Sequence, residues 1–218
     1  MKLPKGKGMF IWKLSEIESG DLKKIIEKAQ FNNLGHILVK FADGQEPKQH
    51  NEIKKLVPMA REAKIEVWGW PYIYGNDPVR EAKLEGEWAI NLGFDGFVID
   101  AEVEYKSNKN KAILYINSLK QTIPNMPIGL SSYWWKTAHA SFPWDAFMSG
   151  CDFVMPQVYW SSSKRDPVET LNITINQFST YKKPIMPTGG DFGVNFKIED
   201  LNKFMNRCIE LKIKSFNF

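Results

Sequence analysis

The sequence predicts an α/β fold, a (β/α)8 barrel of the TIM type, and three observations support this prediction. Eight short apolar runs are spread over the 218 residues, amphipathic runs of helical period separate them, and no glycine-rich phosphate loop follows the first run. The missing loop disfavours the alternative, an open doubly wound sheet. Because 43% of the residues are hydrophobic, the chain suffices for one barrel domain over residues 1–218 with a full core.

The predicted strands are short apolar runs that contain β-branched and aromatic residues and end at turn-forming residues. They alternate with helices, as parallel strands require. In chain order the predicted strands are Gly8–Lys13, His36–Phe41, Ile65–Tyr72, Gly96–Ala101, Pro127–Ser132, Asp152–Tyr159, Pro184–Pro187 and Ile213–Phe218.

The predicted helices show apolar residues three and four positions apart. Two of them begin with Asp-Pro, a helix N-cap followed by proline at the first helical position. The eighth strand ends at Phe218 with no helical pattern after it, so we expect an irregular barrel that lacks the final outer helix, or a chain cut at this point. The predicted helices are Asp21–Ala29, Asn51–Ala63, Asp77–Leu92, Lys109–Gln121, Asp166–Tyr181 and Glu199–Leu211, with a turn or two of helix at Phe142–Ser149.

Charge and composition argue against several classes of function. The net charge is +4, from 29 basic and 25 acidic residues, and no basic stripe with interleaved aromatic residues suggests nucleic-acid binding. No apolar run reaches the roughly 18 residues of a membrane span, and the first residues lack the apolar run of a signal peptide. The sequence therefore predicts neither a nucleic-acid partner nor a membrane span, and it leaves the localisation unknown.

The cysteines and histidines do not form the patterns of a disulfide framework or a metal site. Cys151 and Cys208 lie far apart in apolar or amphipathic runs, so we expect both to be buried. The three histidines, His36, His50 and His139, lack the spacing of metal ligands. We expect neither a metal nor a cofactor.

The most informative segment runs from Gly93 to Glu104. Here the apolar run Phe97–Ile99 leads into Asp100, Glu102 and Glu104. Side chains at alternate positions of a strand share one face, so these three carboxylates should cluster at the carboxyl end of the fourth strand. Like charges beside an apolar strand cost stability, and acid–base chemistry on a sugar or phosphate needs such groups.

The predicted carboxyl ends of the strands, where barrels of this type place their chemistry, carry aromatic and polar side chains. Sugar C–H faces stack on aromatic rings, and sugar hydroxyls need polar partners. We therefore predict a carbohydrate-binding rim. Its candidate substrate-binding residues are Trp12, Lys40, Trp70, Tyr72, Glu104, Tyr133, Gln157, Tyr159, Trp160 and Asp191.

Asp100 and Glu102 are the predicted catalytic pair. Their Cα atoms should lie roughly 7 Å apart on one strand face. Glu102 would then protonate a glycosidic oxygen as a general acid, while Asp100 holds charge, orients an intermediate or tunes the pKa of Glu102. The alternative is that these acids serve only in salt bridges, for example with Lys40 or Lys106.

The fourth-strand segment resembles the D-x-x-D-x-D-x-E motif of family 18 chitinases. Asp95, Asp100 and Glu102 match the motif, whereas Val98 stands at its middle aspartate. Residues 155–159, Met-Pro-Gln-Val-Tyr, are similar to that family's sixth-strand motif. The resemblance implies that Glu102 is the acid and that Asp100 and Tyr159 support an N-acetyl group of the substrate.

The chain also resembles family 25 lysozymes, the muramidases of bacteria and their phages, which have a compact, irregular barrel of about this length. Asp100-Ala-Glu102 matches the D-x-E of their fourth strand, and residues 127–133 and 152–159 are similar to their fifth and sixth strands. The first strand, which ends at Trp12 and Lys13, lacks the aspartate of that family. This resemblance implies action on the bacterial cell wall by a secreted or phage-encoded enzyme.

The leading hypothesis is a glycoside hydrolase that cleaves β-1,4 links in an N-acetylated polysaccharide, with peptidoglycan as the first candidate and a chitin-like polymer as the second. Two alternatives remain. The departures at Val98 and on the first strand favour a carbohydrate-binding barrel without catalysis. The end of the sequence at Phe218 favours one module of a larger cell-wall or phage protein.

Overall fold

The computed structural model describes residues 3–190 and 197–218, and in it parallel strands close into a barrel. The strands pair in the order β1-β9-β8-β7-β6-β5-β4-β2, and β1 pairs with β2 to complete the ring. A short strand, β3 (Glu46–Pro47), runs antiparallel to the end of β2. The barrel strands are β1 (Gly6–Ile11), β2 (Leu34–Asp43), β4 (Glu66–Ile73), β5 (Gly96–Ala101), β6 (Ile128–Tyr133), β7 (Phe153–Val158), β8 (Thr188–Gly189) and β9 (Ser215–Asn217).

The predicted fold class, a (β/α)8 barrel, is therefore confirmed, and helices follow the strands around its outside. Aspartate N-caps begin three of them: Asp21, Asp77 and Asp166 each accept hydrogen bonds from backbone N–H groups of the first turn. The helices are α1 (Leu22–Phe31), α2 (His50–Glu62), α3 (Pro78–Leu92), α4 (Lys109–Thr122), α5 (Trp144–Gly150), α6 (Trp160–Ser163), α7 (Pro167–Phe178) and α8 (Ile198–Glu210).

The largest difference from the predicted strands concerns the seventh one. The sequence predicts a strand over Pro184–Pro187, but regular pairing begins only at β8, after a single bridge between Val154 and Ile185. Met186 still donates to the carbonyl of Val154 at 2.8 Å. Because proline has no N–H to donate, the prolines on either side of this bond interrupt the ladder.

Side chains inside the barrel form a packed lower layer. Val98 of β5 belongs to this interior cluster. Gly96 and Gly129 leave the room that large rings need: a Cβ on Gly96 would lie 2.0 Å from the ring of Trp68, and one on Gly129 would lie 2.2 Å from that of Phe153. Apolar side chains thus fill the barrel interior beneath the carboxyl ends of the strands, and polar groups lie at those ends. We call the apolar part the floor and the polar end the mouth of the barrel. The buried members of the interior cluster are Leu38, Trp68, Trp70, Val98, Phe153, Met155 and Met186.

A second apolar layer lies between the barrel and its helices. On β5 the alternate residues Phe97, Ile99 and Ala101 belong to it, which confirms the predicted two-residue alternation. Cys151 and Cys208 are buried free thiols, as predicted.

Among the described residues, β9 is the last strand or helix of the chain. A cavity of about 630 Å³ lies between α1 and α8. The outer face of β1 and Phe218 also line it, and Met9 of β1 is 38% exposed. Within residues 3–190 and 197–218, no helix has the length and apolar character of a membrane span.

Candidate functional site

The fourth barrel strand, β5, directs its catalytic candidates to the polar end of the barrel interior. Val98 packs in the apolar floor, and Asp100, two residues later, is buried above it and accepts a hydrogen bond from Gln157 of β7, the next strand but one. Glu102 follows the strand as the residue that precedes a 3-10 helix over Val103–Tyr105. Of the three carboxylates predicted to share one strand face, only Asp100 lies within the strand, on the interior side with Val98, because β5 ends at Ala101 and Glu104 lies in the 3-10 helix.

Gln157 connects the two carboxylates. Its Nε2 donates to Asp100 Oδ1 at 3.0 Å and lies 3.3 Å from Ser131 Oγ. The Gln157 side chain also hydrogen-bonds Glu102 and thereby opposes the rise in the pKa of that acid. One amide thus holds the two predicted catalytic side chains in a single cluster.

Both carboxyl groups have pKa values above their ordinary range. Burial raises the pKa of Asp100 strongly, the negative charge of Glu102 raises it further, and the positive charge of Lys40 opposes the rise. Burial also raises the pKa of Glu102, which the Gln157 hydrogen bond partly offsets. Paired acids with raised pKa values are typical of sites that move protons, since one member can hold a proton near neutral pH.

Glu104 lies at the edge of this cluster and is tied to the neighbouring strand. The hydroxyl of Tyr72 donates to Glu104 Oε2 at 2.8 Å, and that of Tyr74 donates to Asp43 Oδ1 at 3.1 Å. The two tyrosine rings meet edge to face, with centroids 5.1 Å apart. Glu104 and Tyr72 are therefore brought together on the β4 side of the barrel mouth.

Lys40 is a cation inside the barrel mouth. The residue is only 8% exposed, and its Nζ lies 3.3 Å from Asp43 Oδ1. Three aromatic rings surround the ammonium group, with centroids 5.4 Å (Trp70), 5.7 Å (Tyr72) and 5.9 Å (Trp12) away. Trp12 is 61% exposed, so it offers a large aromatic surface to solvent beside the cluster.

Two tyrosines complete the opposite wall. Burial, followed by the charges of Glu102, Glu104 and Asp100, raises the pKa of Tyr133 to about 12. Burial and the charges of Asp100 and Glu102 likewise raise the pKa of Tyr159, which places its hydroxyl near both acids. Tyr133 also stacks on His139 at 3.7 Å. The charges of the carboxylate pair thus act on Tyr133 and Tyr159, two of the three predicted tyrosines.

Trp160 is not at this site, so its prediction as a substrate-binding residue was wrong. It is 3% exposed and packs on Phe204 of α8, with ring centroids 5.4 Å apart, in the layer outside the barrel. The reason is that β7 ends at Val158 and Trp160 begins α6, so that its side chain lies with Val158 in the layer beneath the helices. The remaining candidate, Asp191, lies outside the described residues.

Gln49 is a residue that sequence reasoning missed. Its Nε2 donates to the carbonyl oxygens of Trp12 and Lys40, at 2.9 Å each, and its Oε1 accepts from the N–H of Leu14. The backbone of Gln49 has φ +59°, a conformation rare for side chains other than glycine. Gln49 and Trp12 are 37 residues apart in sequence. A contact at that separation leaves no local sequence pattern from which it could be predicted.

Comparisons with known proteins identify the fold. No protein-family model matches the chain, and no curated protein matches it. Active domain 2 of a thermostable chitinase from Pyrococcus furiosus, a catalytic-site mutant complexed with chito-oligosaccharides, matches with a TM-score of 0.75 at 12% identity, over 100% of this chain and 84% of that one.

Two further solved structures share the barrel. Human YKL-39, a pseudo-chitinase that retains chitooligosaccharide binding, matches with a TM-score of 0.59 at 10% identity, over 84% of this chain and 66% of its own. The N-acetylneuraminate lyase of Mycoplasma synoviae has a TM-score of 0.60 at 10% identity, over 98% and 68%. None of these three is a lysozyme, so that resemblance stays a prediction. Likenesses at this level of identity show the (β/α)8 barrel, a fold that hosts many chemistries.

Proposed function

We propose that this protein is a glycoside hydrolase that cleaves β-1,4 links in an N-acetylated polysaccharide. The observation that carries the proposal is the pair Asp100 and Glu102, joined through the Gln157 amide at the carboxyl end of the fourth barrel strand. Active sites of this fold lie at that end of the barrel. The exposed ring of Trp12 and the rings of Tyr72 and Tyr133 line the mouth beside the pair and suit the faces of sugar rings.

In the proposed mechanism Glu102 is the general acid. Burial raises its pKa and so favours the protonated form that a general acid needs, and its half-buried side chain can approach a bound sugar. Glu102 gives that proton to the glycosidic oxygen as the bond to the anomeric carbon breaks. In the second half of the reaction the Glu102 carboxylate takes a proton from water, whose oxygen joins the anomeric carbon.

Asp100 has the assisting role in this mechanism. It lies on the same strand as Glu102 and deeper in the barrel, so it is placed beside the acid rather than across the sugar from it. From there its negative charge can stabilise positive charge on the sugar or on its N-acetyl group. Tyr159, close to both acids, would hydrogen-bond the same group.

The proposal also specifies which polysaccharide is the substrate. Peptidoglycan and chitin both contain N-acetylated sugars in β-1,4 linkage, and the barrel similarity to a chitinase studied with chito-oligosaccharides supports chitin oligomers as the second substrate to test. If peptidoglycan is the substrate, the protein acts at the bacterial cell wall.

The test is the release of reducing ends from purified peptidoglycan and from N-acetylglucosamine oligomers. Replacing Glu102 by glutamine keeps its shape and removes the transferable proton, so the Glu102→Gln variant should lose about 10²- to 10⁴-fold in kcat/KM. Glu104→Gln is the matched control, because Glu104 is bound to Tyr72 at the edge of the site, and it should lose far less. Full activity of the Glu102→Gln variant would exclude Glu102 as the general acid.

A second candidate function, carbohydrate binding without catalysis, has one specific observation in its favour. Val98 occupies the position of the middle aspartate of the chitinase motif, and it packs in an apolar cluster. The pseudo-chitinase YKL-39, which shares the barrel, retains chitooligosaccharide binding. This alternative predicts saturable binding of oligosaccharide by calorimetry with no product, and the accumulation of reducing ends excludes it.

A further inference from the structure

Two buried acids on α3 have no part in the proposed mechanism. Glu81 and Glu85 are four residues apart, so their side chains lie on one face of the helix. Glu81 is 2% exposed and Glu85 is fully buried. Within residues 3–190 and 197–218 no ion pair joins either acid to a cation. Because two buried negative charges without a cation are costly, at least one of these groups should carry a proton.

Glu81 has the hydrogen bonds of a carboxylate. Its Oε1 accepts from the N–H of Tyr74 at 2.9 Å, and its Oε2 accepts from the N–H of Gly75 at 2.7 Å. Two backbone donors favour the ionised form. Glu81 thereby fixes the segment that directly follows β4, and with it the β4 side of the mouth, where Tyr72 donates to Glu104.

Glu85 lacks such partners. The hydroxyl of Tyr115, on α4, donates to its Oε2, whereas its Oε1 is buried without a hydrogen-bond partner in the part of the chain that the structure describes. A carboxylate with a single donor is poorly stabilised in the interior, and a neutral carboxylic acid loses much less. Burial, followed by the charge of Glu81, accordingly raises the pKa of Glu85 well above its ordinary range. Hydrogen bonding and charge therefore both assign the proton of the pair to Glu85.

The elements packed around the pair bring acids and phenols to it. From α2, the ring of His50 packs on Trp88 of α3 with centroids 5.4 Å apart, and burial lowers the pKa of this histidine, which favours its neutral form. From α5, the apolar ring of Phe147 packs on two of the phenols. The titratable groups that interact with the pair are Tyr74 after β4, Asp77 at the start of α3, Tyr105 after Glu104, and Tyr115 on α4.

We propose that Glu85 is a neutral carboxylic acid and that its proton lets Glu81 act as an ionised clamp on Tyr74 and Gly75. When Glu85 loses this proton at alkaline pH, two negative charges one helical turn apart repel each other and the clamp loosens. Gly75 passes this change on, because it packs so closely on Tyr105 that a Cβ at Gly75 would lie 2.8 Å from that ring. The pair is thus a pH-sensitive latch behind the mouth, and it acts on any ligand of the mouth, whether or not the protein is a hydrolase.

Infrared spectroscopy tests the protonation of Glu85, because the carbonyl stretch of a carboxylic acid is separate from the bands of carboxylates. The wild-type protein should show such a band at neutral pH, and Glu85→Gln should lack it. Tyr115→Phe, which removes the hydrogen bond to Glu85, should shift it. Asp100→Asn identifies any band of the other deeply buried acid. Glu87→Gln, at an exposed acid of the same helix, is the matched control and should leave the spectrum unchanged. A spectrum without a Glu85 band overturns the inference.

Amide hydrogen exchange tests the latch. In the wild-type protein the Glu85 band should disappear at alkaline pH. Over the same range the protection of the Tyr74 and Gly75 amides, corrected for their intrinsic exchange, should fall about tenfold, the effect of losing one hydrogen bond. Protection should persist in Glu85→Gln, which gains no charge, and Glu87→Gln should behave like wild type.

The same proton should appear in the stability of the fold. Since the folded protein binds the Glu85 proton more tightly than the unfolded chain does, wild-type stability should fall relative to that of Glu85→Gln as pH rises from the unfolded pKa towards the folded one. Urea unfolding over this range measures the difference. Constant protection of Tyr74 and Gly75 while the Glu85 band disappears overturns the latch. If the protein releases no reducing ends, the hydrolase proposal fails, while these measurements still decide the role of Glu85.

Discussion

At the scale of single residues, the site depends on ionisable side chains whose burial lowers the stability of the fold. Asp100 is buried among apolar and polar neighbours, and its pKa is well above the ordinary value because of burial and the nearby charge of Glu102. A protein that keeps an ionisable group in such a place trades stability for chemistry. Removing the charge while keeping the shape should therefore stabilise the fold.

We predict that Asp100→Asn raises the free energy of unfolding at pH 7 by about 1 kcal/mol, a common gain when a site residue that costs stability is replaced. The folded state binds the Asp100 proton more tightly than the unfolded chain does, so this residue lowers stability as pH rises from the unfolded pKa through the folded one. The gain should accordingly shrink towards pH 4. Urea unfolding at both pH values measures it. A variant less stable than wild type at pH 7 would contradict the prediction.

At the scale of secondary-structure elements, the mouth depends on how neighbouring strand ends are held together. Gln49, just before α2, binds the backbone of Trp12 after β1 and of Lys40 in β2. This side chain fixes the exposed aromatic ring of Trp12 relative to the buried ammonium of Lys40. It does so from a left-handed backbone conformation, which costs stability for a residue with a Cβ atom.

We predict that Gln49→Ala and Gln49→Gly both weaken binding of a chitin oligomer about tenfold, the loss of roughly 1.4 kcal/mol in hydrogen bonding. Glycine adopts the positive φ without strain, so Gln49→Gly should be about 1 kcal/mol more stable than Gln49→Ala. Titration calorimetry and thermal unfolding of the two variants separate the lost hydrogen bonds from backbone strain. Wild-type affinity in both variants would show that Gln49 does not position the mouth.

At the scale of the whole molecule, the closed barrel decides what can lie beneath the site. Val98 packs in the interior floor with the rings of Trp68 and Phe153. An acid at this position would be buried in an apolar cluster, and a buried charge without a partner is costly. The floor of this barrel therefore carries an apolar residue, and no third acid, at the position beneath Asp100 on β5.

We predict that Val98→Asp lowers the free energy of unfolding by at least about 3 kcal/mol at pH 7, and by less at pH 4, where the new carboxyl group can take up a proton. Val98→Ala, which removes volume without adding charge, is the control and should cost about 2 kcal/mol with little dependence on pH. Denaturant unfolding of both variants gives the comparison. Equal losses for the two variants at both pH values would mean that the floor can solvate a charge.

The sequence by itself determined the local features of this protein. The alternation of apolar strands and amphipathic helices predicts the barrel, and the two-residue period of a strand places Val98, Asp100 and Glu102 on one face. These features depend on residues a few positions apart. Aspartates at helix starts, such as Asp77 and Asp166, could be recognised for the same reason.

Only the tertiary structure decided which distant side chains meet at the carboxylate pair. Gln157 reaches Asp100 across 57 residues, because strand pairing and barrel closure set the height of β7 against β5. The same geometry turns Trp160 outward onto α8 although it follows Tyr159 directly. It also buries Lys40 in the barrel mouth. Nothing in the sequence around Lys40 predicts that this lysine is buried. Register and closure are properties of the whole sheet, and no short stretch of sequence encodes them.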